Sequence, residues 1–168
     1  GLKFRPYSAA DLDDVIQVFT DAVHVLAMHE YDEMQRAAWA PRPPDVSAWR
    51  RRMQRLQTWL AVDGSRVAGF VSCDANGHID LLYVSPPHAR RGVASAPCAC
   101  AEAELASSGA IELTAWASAT ARPFFERSGF VAVEEQEVFR SGAPMRRFVV
   151  RKWLAINRLV DWRGPNGS

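Results

Sequence analysis

The segment Leu82-Tyr83-Val84-Ser85-Pro86-Pro87-His88-Ala89-Arg90-Arg91-Gly92-Val93-Ala94-Ser95 reads as the end of a strand, a turn and the opening of a helix. That order aims successive backbone N–H groups and the positive end of a helix dipole at one spot, which suits a bound pyrophosphate. Gly92 and the small Ala94 let the backbone come close to phosphate oxygens. Arg90 and Arg91 add charge at the same place.

A second pair of reactive groups, His78 and Asp80, lies on the strand that leads into this turn. Side chains alternate along a strand, so residues 78, 80, 82 and 84 are expected on one face, with His78 and Asp80 pointing the same way. A histidine titrates near pH 6.5 when unperturbed, about right for a general base at neutral pH. The plainer reading of His78, and the one favoured by its position, is a polar residue opening a strand after the Asn76-Gly77 turn. Asp80 could orient His78, act itself, hold a substrate cation or cap a loop. Cys98 and Cys100 lack the second pair or the neighbouring histidines of a metal site, so no metal is expected.

The elements that would position these groups follow from periodicity. Leu2 to Pro6 fits a short strand, and apolar residues at Leu12, Val15, Ile16, Phe19, Val23 and Leu26 predict one helix over Ala9 to His29, capped by Ser8 with Asp11. Met34 to Trp39 reads as a short helix, and Val46 to Gln57 as a second whose Arg50, Arg51, Arg52 and Arg55 make a solvated face. Trp59 to Val62 and Arg66 to Val71 flank Asp63-Gly64-Ser65 as a hairpin, and a strand runs from His78 to Val84. A helix over Gly92 to Ser107 and a strand over Ile111 to Trp116 follow. A helix over Ser118 to Ser128 and strands over Phe130 to Val138 and Met145 to Val150 complete the order. Strand, helix, strand from His78 to Trp116 implies one parallel pairing. The spacing predicts an α+β domain over residues 1–152, with a tail of unassigned role over 153–168.

At 168 residues, 48% of them hydrophobic, the chain can bury one sizeable core. Twenty basic against nineteen acidic residues leave a formal charge of +1, which disfavours nucleic acid and anionic membrane as partners. No apolar run approaches the ~18 residues that span a bilayer, and no secretory pattern opens the chain, so a cytoplasmic protein is expected.

A glycine six residues past a strand-ending proline, then one residue and a small one, matches the phosphate loop of the GNAT acetyltransferase superfamily, which Pro86, Gly92 and Ala94 resemble. Val67-Ala68-Gly69-Phe70 resembles the family's third strand. Phe124-Phe125-Glu126-Arg127-Ser128-Gly129-Phe130 resembles its last helix and turn, so the likeness covers roughly residues 2–150. It implies a mixed, mostly antiparallel sheet of about six to seven strands flanked by about four helices. It also implies acetyl-CoA as cosubstrate, held by Leu82, Tyr83, Val84, Arg90, Arg91, Gly92, Val93, Ala94 and Ser95, with Ser118 and Phe124 beside it. His78 falls where some members carry a basic glutamate, so the resemblance makes His78 and Asp80 the catalytic candidates. Tyr31-Asp32-Glu33-Met34-Gln35-Arg36-Ala37-Ala38-Trp39 resembles a bacterial branch acting on small molecules. Tyr31 and Trp39 would then wall the acceptor pocket, or simply pin two helices together.

The implied reaction is attack by a primary amine of a small molecule on acetyl-CoA within a ternary complex, with a second copy of the chain admitted as a partner. Three residues depart from the pattern. Ala89 stands where the loop usually has Gln or Arg, and Pro97 where the helix usually has Leu, at a cost of roughly 3 kcal/mol if it interrupts the helix. Phe125 replaces the usual tyrosine acid and cannot donate a proton. Tyr83 and Tyr31 are substitutes by chemical type alone, and the alternative is a thiolate protonated by water. A CoA-binding or regulatory module with weak or no turnover is the competing reading.

Overall fold

The computed structural model describes residues 1–154; residues 155–168, and with them nearly all of the tail, lie outside the described residues. Its strands are β1 (Leu2–Pro6), β2 (Gln57–Asp63), β3 (Arg66–Cys73), β4 (His78–Val84), β5 (Glu112–Ser118), β6 (Val131–Arg140) and β7 (Ala143–Trp153). Its α-helices are α1 (Leu12–Asp21), α2 (Glu33–Trp39), α3 (Val46–Arg55), α4 (Ser95–Ser107) and α5 (Arg122–Arg127). The strands form one sheet in the order β1-β2-β3-β4-β5-β7-β6, antiparallel except for the β4–β5 step. The strand-helix-strand rule required that parallel pair, and it is there. The described segment ends within a residue of β7, so the expected domain limit at 152 falls just short of a strand that runs to Trp153.

The short helix expected over Met34 to Trp39 is present as Glu33–Trp39, and it is capped at its start. The Gln35 N–H donates to Asp32 Oδ1 at 2.7 Å, and the Asp32 N–H to Gln35 Oε1 at 2.8 Å, which satisfies two donors that a helix start leaves open. The long first helix instead opens with a 3-10 turn at Ala9–Asp11 and closes with a π turn at Ala22–Leu26. Ser8 and Asp11 do meet at its start, the Ser8 N–H donating to Asp11 Oδ2 at 2.9 Å. The Arg5 guanidinium beside Asp11 pulls that carboxyl down to about 2. Among the described residues no helix is long and apolar enough to cross a membrane.

Consecutive residues of β3 serve opposite faces, as the pleat requires. Phe70 joins a core with Val15, Ile16 and Phe19 of α1 and Trp49 and Met53 of α3. Val71 joins another with Cys98, Ala101 and Leu105 of α4, Phe125 of α5 and Phe148 and Val150 of β7. The sheet is thus covered by helices on both faces, and this clamps β4 and β5 at the centre. Their pairing is brief: His78 lies opposite Thr114 and Ile79 opposite Ala115, and no pair follows. Beyond Ile79, β4 stays with β3 while β5 continues on β7, so the two central strands part and open a cleft.

Candidate active site

The cleft is a cavity of about 1340 Å³ bordered by the second half of β4, the turn after it and the start of α4. Leu82, Tyr83, Val84, Arg90, Gly92, Val93, Ala94, Ser95, Ser118 and Phe124, all expected beside a cofactor, line it. Arg91 is exposed at the turn and is the expected cofactor residue that does not.

The turn owes its shape to two left-handed residues. Gly92 has φ +69°, and a Cβ built there would meet only Ser95 Oγ at 4.0 Å, so its surroundings are open. Arg90 has φ 62°, an uncommon conformation for a residue with a side chain. Val93 anchors the turn, buried on Ala61 and Ala68. Gly69 allows that seat, because a Cβ there would stand 3.0 Å from the Tyr83 carbonyl oxygen and 3.2 Å from Val93 Cγ1. Val93 and Ala94 therefore turn their side chains inward and leave their amides as what they can offer a ligand.

Among the described residues, none of the backbone N–H groups of Arg90, Arg91, Gly92, Val93 and Ala94 donates to a protein acceptor. A run of open amides running into a helix of thirteen residues is a cradle for an anion. The helix begins at Ser95, not at Gly92 as alanine content suggested, because the left-handed Gly92 cannot continue a right-handed helix. This also corrects the expected cost of Pro97. It occupies the first turn, where its missing N–H would have had no acceptor, and the first helical donor is Cys98, to the Ala94 carbonyl at 3.0 Å.

One part of the site was missed. The Ser85 hydroxyl meets His88 Nδ1 at 2.8 Å, and His88 Nε2 meets Asp63 Oδ2 at 3.0 Å. His88 is buried and ties the turn to the β2–β3 hairpin, with its imidazole holding Asp63 below the usual carboxylate range. The Ser-x-x-His spacing was the available signal; its partner, 25 residues earlier, was not. Removing this tie frees the turn, so His88→Ala is expected to raise the Kd for acetyl-CoA about tenfold, or ~1.4 kcal/mol, with kcat nearly unchanged. Calorimetric titration and initial rates check it.

His78 and Asp80 both border the cavity but are not partners. Ser72 pairs with Leu81 and Cys73 with Ile79, which leaves Asp80 as the extra residue of a β-bulge. The bulge breaks the expected alternation: Ile79 and Leu82 pack toward α4, whereas Leu81 and Tyr83 pack toward α1. Residues 78, 80, 82 and 84 do not share one face. Asp80 accepts a hydrogen bond from Arg52 Nε at 2.8 Å, so Arg52 belongs to the site and not to the solvated face expected of it. His78 Nδ1 lies 2.9 Å from Thr114 Oγ1, and its ring meets Trp116 edge-on at 4.7 Å. His78 Nε2 is buried without a partner among the described residues.

Tyr31 and Trp39 line the cavity and contact each other edge-on at 5.3 Å. The Tyr31 hydroxyl donates to the Arg146 carbonyl at 2.9 Å and accepts from the Ala119 N–H at 2.9 Å, so it is fully engaged in joining three segments. Tyr83 sits among Phe19, Phe70 and Trp39, and burial pushes its hydroxyl up to about 12. Ser118 accepts from the Ala121 N–H at 3.1 Å and shapes the turn into α5, while Phe125 is buried against Phe124 and Phe130.

Residues 27–151 match the family model described as the acetyltransferase (GNAT) domain. The chain is 37% identical over 154 residues to an uncharacterized N-acetyltransferase, YafP, of Escherichia coli strain K12, covering 90% of this chain and 95% of that protein. It is similar to a crystal structure from Rhodopseudomonas palustris described as a GCN5-related N-acetyltransferase and class-II aminotransferase. The TM-score is 0.86 and the identity 30%, over 90% of this chain and 95% of that one. PaiA N-acetyltransferase of Thermoplasma acidophilum, solved with coenzyme A, shares the fold with a TM-score of 0.75. There the identity is 16%, over 91% of this chain and 99% of that one.

Proposed function

This chain belongs to the GNAT acetyltransferase family, and from that membership we propose that it moves an acetyl group from acetyl-CoA to a primary amine of a small molecule in a ternary complex. The observation that carries the proposal is the run of open amides from Arg90 to Ala94 at the end of a cleft between parted strands. The pyrophosphate would lie on those amides, with Arg90 and Arg91 adding charge. The extended arm of the cosubstrate would follow the free edge of β4, whose main-chain groups beyond Ile79 lack a second strand. The thioester would then reach the bulge at Asp80.

Aminolysis consumes a neutral amine. Its nitrogen attacks the thioester carbon, the tetrahedral intermediate expels the thiolate by breaking the C–S bond, and the nitrogen sheds one proton. His78, which borders the cavity, is the group we assign to that proton. Asp80 and Arg52 neutralise each other beside it and hold the bulge in shape. The thiolate leaves as the anion and is protonated by water. Phe125 has no proton to give, and Tyr83 near 12 is a far weaker acid than a thiol, about 8.5 in cysteine. The proposal places the reaction in the cytoplasm, where Cys73, Cys98 and Cys100 would stay reduced.

The test is release of CoA thiol from acetyl-CoA across a panel of amines. Amine-dependent release is expected. Tight acetyl-CoA binding with no release for any amine would favour a binding or regulatory module instead.

A further inference from the structure

The β6–β7 hairpin also contributes to the wall of the cavity, through Val138, Arg140, Met145 and Arg147. The pairs Gln136 with Arg147, Val138 with Met145 and Arg140 with Ala143 put these side chains on one face of that hairpin. Arg140, Met145 and Arg147 all reach the cavity. The Arg147 guanidinium lies over the Trp116 ring at 4.0 Å, and its Nε donates to Gln136 Oε1 at 2.8 Å. Stacking on one side and a hydrogen bond on another fix the plane of the guanidinium and leave its two terminal nitrogens without a hydrogen bond among the described residues.

Its neighbours do not neutralise it. Among the described residues Arg147 and Arg140 form no ion pair, whereas Arg52, Arg122, Arg146 and Arg151 each meet a carboxylate. Asp80 is taken by Arg52, and Glu30 accepts from the Thr120 hydroxyl. Glu134 acts on Arg147 only as the weakest influence, after burial and the like charge of Arg140, which together press its pKa below the ordinary arginine value. A half-buried cation beside a second cation, with a neutral amide as its one hydrogen-bond partner among the described residues, is a group that a bound anion would stabilise. One indole ring, Trp116, separates this guanidinium from the His78 imidazole.

We infer that the acceptor is an amine that also carries an anionic group, a carboxylate or a phosphate, which Arg147 receives with help from Arg140 while the amine faces His78. This rests on the acetyl-transfer reading above and narrows its substrate class. A guanidinium presents parallel donors that fit either anion.

The test measures kcat/KM by thiol release for acid and neutral partners of one skeleton. The pairs are glycine with glycinamide, 4-aminobutyrate with 4-aminobutyramide, and 2-aminoethyl phosphate with ethanolamine. At least one acid is expected to exceed its neutral partner tenfold or more, and which pair does so separates carboxylate from phosphate. In Arg147→Gln that ratio is expected to fall to within twofold of unity, with Arg147→Lys in between and the Kd for acetyl-CoA unchanged. Equal use of acid and neutral partner, preference for the neutral one, no turnover of any of the six by protein that acetylates other amines of the panel, or an unchanged ratio in Arg147→Gln would each overturn the inference. Failure to bind acetyl-CoA at all would count instead against acetyl transfer.

Discussion

Gly92→Glu is expected to weaken acetyl-CoA binding at least a hundredfold, which is ~2.7 kcal/mol, in a protein that still folds. The substitution sets a carboxylate beside amides that have no protein acceptor among the described residues and replaces a phosphate's attraction with repulsion. The fold should survive because a Cβ at Gly92 meets nothing closer than 4.0 Å. The left-handed backbone at φ +69° costs a side chain roughly 1–2 kcal/mol, a fraction of an ordinary domain's stability of about 5–15 kcal/mol. Gly92→Ala separates the two effects, since it carries the backbone cost without the charge and should bind several times less tightly at most. Calorimetry reads the affinity and thermal unfolding reads the fold. Unchanged affinity in folded Gly92→Glu would move the cosubstrate elsewhere.

His78→Ala should lower kcat about a hundredfold or more, the usual range for loss of a general base, with the acetyl-CoA Kd within twofold of wild type. Proton transfer and cosubstrate binding lie on separate elements here. His78 opens β4 beside Thr114 and Trp116, whereas the amide cradle follows the far end of that strand. The pH profile decides the role. Wild type should lose rate as pH falls and the base takes up a proton, and this limb should vanish in His78→Ala but persist in Asp80→Asn. A limb that survives in His78→Ala and vanishes in Asp80→Asn would transfer the role to the carboxylate. Wild-type rates in both variants would leave the proton to an ordered water.

What could be read in the sequence was local. Pro86, Gly92 and Ala94 sit close together and each has its own backbone preference, so the turn, and the expectation of an anion there, followed from residue type and spacing. The limits of α4 were less legible, because alanines at Ala94, Ala96, Ala99 and Ala101 favour helix while the conformation of Gly92 forbids it until Ser95. The bulge at Asp80 belongs to the pairing of β3 with β4, and neither strand alone records it. Arg52 reaching Asp80, and His88 reaching Asp63, are contacts between segments that only the assembled sheet brings together. Pro97 looked costly in isolation because its penalty depends on where the helix starts.

The most direct test of the central claim is to follow backbone amide resonances while acetyl-CoA is added to the whole chain. The largest shifts are expected at the amides of Arg90, Arg91, Gly92, Val93 and Ala94, with smaller ones along β4 from Leu81 to Val84, and all should saturate with one Kd. Saturable shifts confined to other parts of the chain, with residues 90–94 unmoved, would contradict it.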